Sequence, residues 1–178
     1  MNLVRTLDRF GRFFVASLMA SAESTTACDG WTAHDLAAHV AAGSQELADL
    51  MILARRGASR PTRDFVEREA RYRAMSHLHL HAALLWQGTR TTVQLIRLGS
   101  TVVVFTGARM TAADIATHAE SELVLHRFDL VGQDRVSQRH LSSPTLVRHA
   151  ESIVAHMDDG VLPPASSSQV DLLAIWGR

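Results

Sequence analysis

His118, Glu122 and His126 stand four residues apart in TAADIATHAESELVLHRFDLVG, residues 111–132, a segment whose other residues read as a core-facing helix. At about 100° per residue, with Ile115 at the centre of the apolar stripe, Glu122 and His126 fall within about 20° of that centre. His118 and Asp129 lie about 40 to 60° to one side. A carboxylate on a core-facing line costs several kcal/mol, or takes up a proton, unless a cation or a set of hydrogen bonds satisfies it. A one-turn contact with His126 is worth only about 0.2–0.5 kcal/mol on a surface. Two readings stand open: a hydrogen-bonded core pair, or two side chains converging on one metal ion.

His118 cannot complete such a metal site, because eight residues of helix place it about 12 Å from His126 along the axis. The third ligand has to come from another helix, and His39 is the candidate. It flanks the apolar stripe Leu36, Val40, Gly43, Leu47, Leu50 and Ala54 of an earlier helix. Axes about 8–10 Å apart leave room for an ion with bonds of about 2.0–2.2 Å. Two imidazoles and one carboxylate suit Zn²⁺ with an open position for water or substrate, and Ni²⁺, Fe²⁺ or Mn²⁺ would accept the same donors. Asp129 is placed to accept from a ligand imidazole, or to bond neighbouring backbone. Arg109 and Arg127 could hold a substrate carboxylate or form surface ion pairs, Arg127 pointing about 100° away from His126.

Cys28 is the sole cysteine, which excludes an intramolecular disulfide and a thiolate metal cluster. With His34 close in sequence it could be a nucleophile, although a single loop cysteine is more often incidental. HLHLH, residues 77–81, would align three imidazoles on a strand. On the helix that its surroundings demand, His77 and His81 share a side and His79 swings away, so these are expected to be flanking, partly solvated residues.

The positioning elements follow from periodicity. The 178 residues are 47% hydrophobic and 20% charged, as expected for one globular domain with a core. Eighteen basic residues balance eighteen acidic ones, leaving no net field to hold nucleic acid or an anionic membrane. Every basic residue is arginine; without lysine there is no Schiff-base chemistry, no lysine-anchored pyridoxal cofactor and no Walker-type phosphate loop. No apolar run approaches the ~20 residues of a membrane span. The N-terminal stretch is broken by Asp8, Arg9 and Arg12, so it is expected to be an amphipathic helix with Leu3, Leu7, Phe10, Phe14 and Leu18 on one face rather than a leader, and the protein to be cytoplasmic.

Thr32 with Asp35 predicts a capped second helix, with Trp31 and Leu36 as a hydrophobic staple. Asp64 and Glu67 open a long third helix with a stripe of Met75, Leu78, Ala82, Leu85, Thr89, Val93 and Ile96. TVVVF, residues 101–105, predicts a strand that could pair with VDLLAIW near the C-terminus. Thr111 with Asp114, and Met110 with Ile115, repeat the capping pattern for a fourth helix, and Ser143-Pro144 starts a short fifth that Gly160 ends. The expected fold is all-α: an antiparallel four-helix bundle with a small β element and a short C-terminal helix. Residues 1–135 form the metal-binding bundle; 136–178 are an extension of helix (about 144–158), linker and tail packed on it.

GWTAHDLAAHV, with its Trp, Asp-Leu and closing His39, and ESELVLHRFDL, with Glu122, His126 and the aromatic-Asp that follows, resemble the two signature segments of the DinB-like metalloenzyme superfamily, specifically the N-terminal domain of mycothiol-dependent maleylpyruvate isomerases. FTGARMTAADIATH resembles the same family, and the likeness covers about residues 1–130. It implies a bundle holding one divalent metal, usually zinc, at His39, Glu122 and His126, and a low-molecular-weight thiol cofactor, mycothiol in this branch. The full isomerases carry a sizeable second domain, whereas fewer than fifty residues follow the fourth helix here. The expected function is metal-dependent activation of such a thiol for S-transfer to, or isomerisation of, a small electrophilic substrate. The alternatives are a metal-dependent hydrolase of small amide or thiol conjugates and a non-catalytic metal- or small-molecule-binding bundle. The expected partner is a small molecule, not nucleic acid or a membrane, and a homodimer is allowed.

Overall fold

The computed structural model describes residues 3–58, 64–105, 108–132, 141 and 143–157. Its elements run α1 (Leu3–Met19), α2 (Ala33–Arg55), α3 (Phe65–Arg73), α4 (His77–Leu98), β1 (Val103–Phe105), β2 (Ala108–Met110), α5 (Ala112–Val131) and α6 (Pro144–Met157). The four long helices α1, α2, α4 and α5 form the bundle, with α1 packed on α5, α2 on α4, and α3 laid across α2. The capping boxes predicted at Thr32–Asp35 and Thr111–Asp114 are both present, each threonine accepting from the aspartate amide while the aspartate accepts from the threonine amide. These two caps fix where the helices carrying His39, Glu122 and His126 begin.

The third helix differs from its sequence reading. Ser76 starts a new helix, its hydroxyl accepting from the His79 amide, so that the expected single rod becomes α3 and α4. Asp64 makes no side-chain cap; its carboxylate is taken by Arg68 at 2.6 Å. The face of α4 is rotated as well. Leu78 is 73% exposed and Ile96 60%, while Leu80, His81, Leu84, Gln87, Thr91, Gln94 and Leu95 turn inward. Polar residues can occupy that inner face because α2 satisfies them: Thr91 donates to the Ser44 carbonyl at 2.7 Å, and Arg55 donates to Gln94 at 3.2 Å. On α1 the buried line is likewise offset: Phe13 and Ser17 are enclosed, Phe10 and Phe14 pack partly, and Leu7 and Leu18 face outward. The Phe10 ring lies directly against Gly88, where any side chain would strike it.

HLHLH also departs from expectation, because His81 is buried. Its Nδ1 donates to the His77 carbonyl and its Nε2 accepts from the Ser17 hydroxyl, both at 2.8 Å. Burial is the main force holding its pKa below the ordinary imidazole value, with His77 and His34 adding to the effect. The neutral ring is a structural link between α1 and α4. His79 is exposed and bonds Ser76.

TVVVF supplies β1, which pairs antiparallel with β2 in the register Val103 to Met110, Val104 to Arg109, Phe105 to Ala108. VDLLAIW, and the Gly160 stop signal, lie outside the described residues. On α6, Leu146 packs with Leu141 against Val124 and Leu125 of α5, and His149 Nε2 meets His118 Nδ1 at 3.3 Å. Burial first, and the neighbouring His118 second, push His149 down to about 4, against weaker attraction from Glu122 and Asp114. A folded pKa below the unfolded value of about 6.5 means the unfolded chain binds the proton more readily. The stability tied to His149 is therefore complete above about pH 6.5 and is lost as pH falls toward 4, about 2 kcal/mol of it by pH 5. Urea titrations at pH 7 and pH 5 should show a smaller drop for His149→Phe than for the wild-type protein.

Candidate metal centre

His39 and His126 reach one another because α2 and α5 cross near the capped start of α2 and the last turns of α5. The ring centroids lie 4.9 Å apart in an edge-to-face arrangement. One ligand atom from each of His39, Glu122 and His126 lies within 4.8 Å of the others, so the structure brings together the three residues singled out from spacing. The Glu122 Oε2 to His126 Nε2 distance is 3.3 Å. Two donors bonded at about 2.0–2.1 Å with a tetrahedral angle are themselves about 3.3–3.4 Å apart. The types of the three donors and the Glu122–His126 spacing therefore fit a divalent ion.

Each imidazole has a carboxylate on its far side. His126 Nδ1 is 3.1 Å from Asp129 Oδ2, the geometry expected of an acceptor that fixes tautomer and ring orientation. His39 Nδ1 faces Glu69 Oε1 of α3 at 3.8 Å. Trp31 and Phe65 close on the His39 ring, with centroids at 5.1 and 5.2 Å. Trp31 in turn carries the Arg73 guanidinium at 5.2 Å.

The electrostatics follow from this crowding. Partial loss of surrounding water opposes ionisation of Glu122, whose side chain stays part-exposed, but the His126 hydrogen bond and the charges of His118, His126 and His39 outweigh it and hold the carboxyl well below the usual carboxylate range. Burial opposes charge on His126 too, yet the hydrogen bonds it makes to Asp129, Cys28 and Glu122 raise it to about 10. An imidazole between two carboxylates takes a cation, and a proton occupies that role in the absence of metal.

Two expectations need correction. Glu122 is not the buried carboxylate of α5: its side chain is 38% exposed, which leaves it at the mouth of the site. The enclosed one is Glu120, at 3%, held by Arg5 Nε at 2.6 Å and the Thr6 hydroxyl at 3.0 Å, a pair that ties α1 to α5. Cys28, paired with His34 in the sequence reading, belongs instead beside the centre, where Cys28, His126 and Asp129 form a second mutually close group. The loop is strapped there by Ala27, whose amide donates to the Asp129 carbonyl at 2.9 Å. His34 bonds the Arg73 carbonyl.

His118 stays outside the ligand group, its ring tilted against Phe105 with centroids 5.0 Å apart and bonded to His149. Arg109 sits exposed on β2 opposite Val104. Arg127 lines an open groove of 560 Å³ with Asp8, Gly11, Arg12, Val15 and Ala16 of α1, which includes none of the three candidate ligands. Sequence reasoning singled out Cys28 without its place beside His126, and missed Glu69. A loop cysteine has no periodicity to place it, and Glu69 becomes visible only once the helix break at Ser76 is known.

Among the described residues no helix is long and apolar enough to cross a membrane. No curated protein matches the chain in sequence. Two crystal structures of the mycothiol-dependent maleylpyruvate isomerase, one of them a histidine-to-alanine mutant, superpose with TM-scores of 0.72 for the mutant and 0.71 for the other. Both are 17% identical in sequence, with 86% of this chain and 68% of theirs covered, so that likeness is one of fold. The model of the mycothiol maleylpyruvate isomerase N-terminal domain matches residues 4–131, a stretch that holds the whole bundle and all three candidate ligands, and the chain belongs to that family.

Proposed function

We propose that His39, Glu122 and His126 hold one divalent metal, zinc by the chemistry of the donors, and that the protein uses it to activate a low-molecular-weight thiol against a small electrophilic substrate. The observation that carries this reading is the convergence of the three ligand atoms within 4.8 Å, in a chain of this family. A bound divalent ion would lower the pKa of a thiol presented to it and keep the thiolate at neutral pH.

The protein's own residues supply the rest. With two neutral imidazoles and one carboxylate, a divalent ion held by His39, Glu122 and His126 would keep a net single positive charge and would favour an anionic fourth ligand such as a thiolate. Asp129 holds the His126 ring through Nδ1. Trp31 and Phe65 wall the His39 side with apolar surface, restricting water on that flank. Attack of the thiolate sulfur on an activated double bond forms a C–S bond as the π bond opens; rotation and C–S cleavage return the thiolate and the isomerised product. Retention of the C–S bond gives S-transfer. Mycothiol is the natural candidate thiol, because the solved isomerases of this fold are mycothiol-dependent.

Cobalt-substituted protein titrated with mycothiol, or with cysteine as a simple thiol, tests the reading. A sulfur-to-cobalt charge-transfer band that saturates at one thiol per metal is the expected result. Unchanged spectra across the titration would contradict thiol activation and favour a metal-bound-water hydrolase.

A further inference from the structure

The two candidate histidine ligands are supported unequally. His126 has Asp129 at hydrogen-bond distance on Nδ1. Among the described residues, the buried His39 Nδ1 has no hydrogen-bond partner, a condition that costs free energy unless something relieves it. The acidic oxygen recorded facing it is Glu69 Oε1 at 3.8 Å, on a side chain only 13% exposed.

Glu69 is itself held in place. Arg73 Nη2 donates to the same Oε1 at 2.7 Å, while Arg73 Nε lies 3.4 Å from Asp35 Oδ1. Asp35 is the capping-box partner of Thr32 at the start of α2, so a chain of held groups runs from there through Arg73 and Glu69 to His39, also on α2. The break at Ser76 makes this possible, because it lets α3 lie across α2. A carboxylate fixed behind Nδ1 favours the tautomer with its proton there, which leaves Nε2 with the free lone pair.

We propose that Glu69 is a positioning residue for His39, setting its tautomer and orientation for metal binding as Asp129 does for His126. This rests on the metal reading above and extends it to a residue on a third helix. A divalent centre built this way is gripped by a carboxylate behind each imidazole, and α3 becomes part of its support.

The test is zinc affinity, measured by competition with a chromophoric chelator, for wild-type, Glu69→Ala, Glu69→Gln and Arg73→Met proteins. Glu69→Ala should bind zinc about 10- to 100-fold more weakly than wild type, with Glu69→Gln, which keeps the shape and loses the charge, weakened in the same direction. Arg73→Met releases the hold on Glu69 but keeps its carboxylate on α3, and should weaken zinc binding less than Glu69→Ala does. Wild-type affinity in Glu69→Gln and Glu69→Ala overturns the proposal while leaving the metal reading intact. Equal losses in the Glu69 and Arg73 variants also overturn it, since Glu69 would then act only by anchoring α3. A wild-type protein that binds no zinc overturns both.

Discussion

Replacing His126 with alanine is expected to weaken zinc binding by more than about 100-fold, the upper end of what loss of an outer-shell partner costs. His126 is 2% exposed and bonds Glu122 through one nitrogen and Asp129 through the other, so no other side chain can take over its position. The same substitution leaves Asp129 without its imidazole, a loss of about 1–3 kcal/mol of stability, and His39→Ala is the cleaner companion. The His39 side chain is 24% exposed, and its removal should cost as much zinc affinity with less loss of fold. Chelator competition, with helicity checked by circular dichroism, reads both. Zinc affinity unchanged in either variant would remove that histidine from the site.

Asp49→Ala should destabilise the protein by about 3 kcal/mol, measured by urea unfolding. Asp49 accepts from Arg68 Nη1 at 3.1 Å and from Arg90 Nη2 at 2.6 Å, joining α2 to both α3 and α4. Arg68 is 1% exposed, and its second partner, Asp64, is 39% exposed. Its Nε is buried without a hydrogen-bond partner among the described residues. Without Asp49 a buried guanidinium keeps only a solvent-facing counter-charge, and removing one partner of a buried ion pair costs far more than the intact pair contributes. Asp49→Asn, which keeps an acceptor oxygen, should lose about half as much. A change below about 0.5 kcal/mol for Asp49→Ala would show that water already satisfies Arg68.

The candidate site was more legible in the sequence than the packing around it. Thr32–Asp35 and Thr111–Asp114 announce helix starts through local chemistry that needs no tertiary context. Once those starts are known, 3.6-residue geometry places His39, Glu122 and His126 on inward or flanking lines. The face of α4 was misread because periodicity rewards apolar residues, whereas its buried line carries His81, Gln87, Thr91 and Gln94, whose partners sit on α1 and α2 or close by on α4 itself. Glu122 was read as the buried carboxylate, yet Glu120, off the apolar line, is the enclosed one because α1 brings Arg5 and Thr6 to it. Such pairs join residues more than a hundred positions apart, and no local pattern encodes them. The break at Ser76 rests on a single serine inside a strongly helical stretch, and with it the place of Glu69 behind His39.

The most direct measurement is the position of the metal itself: crystals grown with zinc, with diffraction recorded at the zinc absorption edge. The account predicts one anomalous peak per chain at about 2.0–2.2 Å from a nitrogen of His39, an oxygen of Glu122 and Nε2 of His126. A peak on the His118–His149 pair or on Cys28 with Asp129, or no peak at full zinc occupancy of the solution, would contradict it.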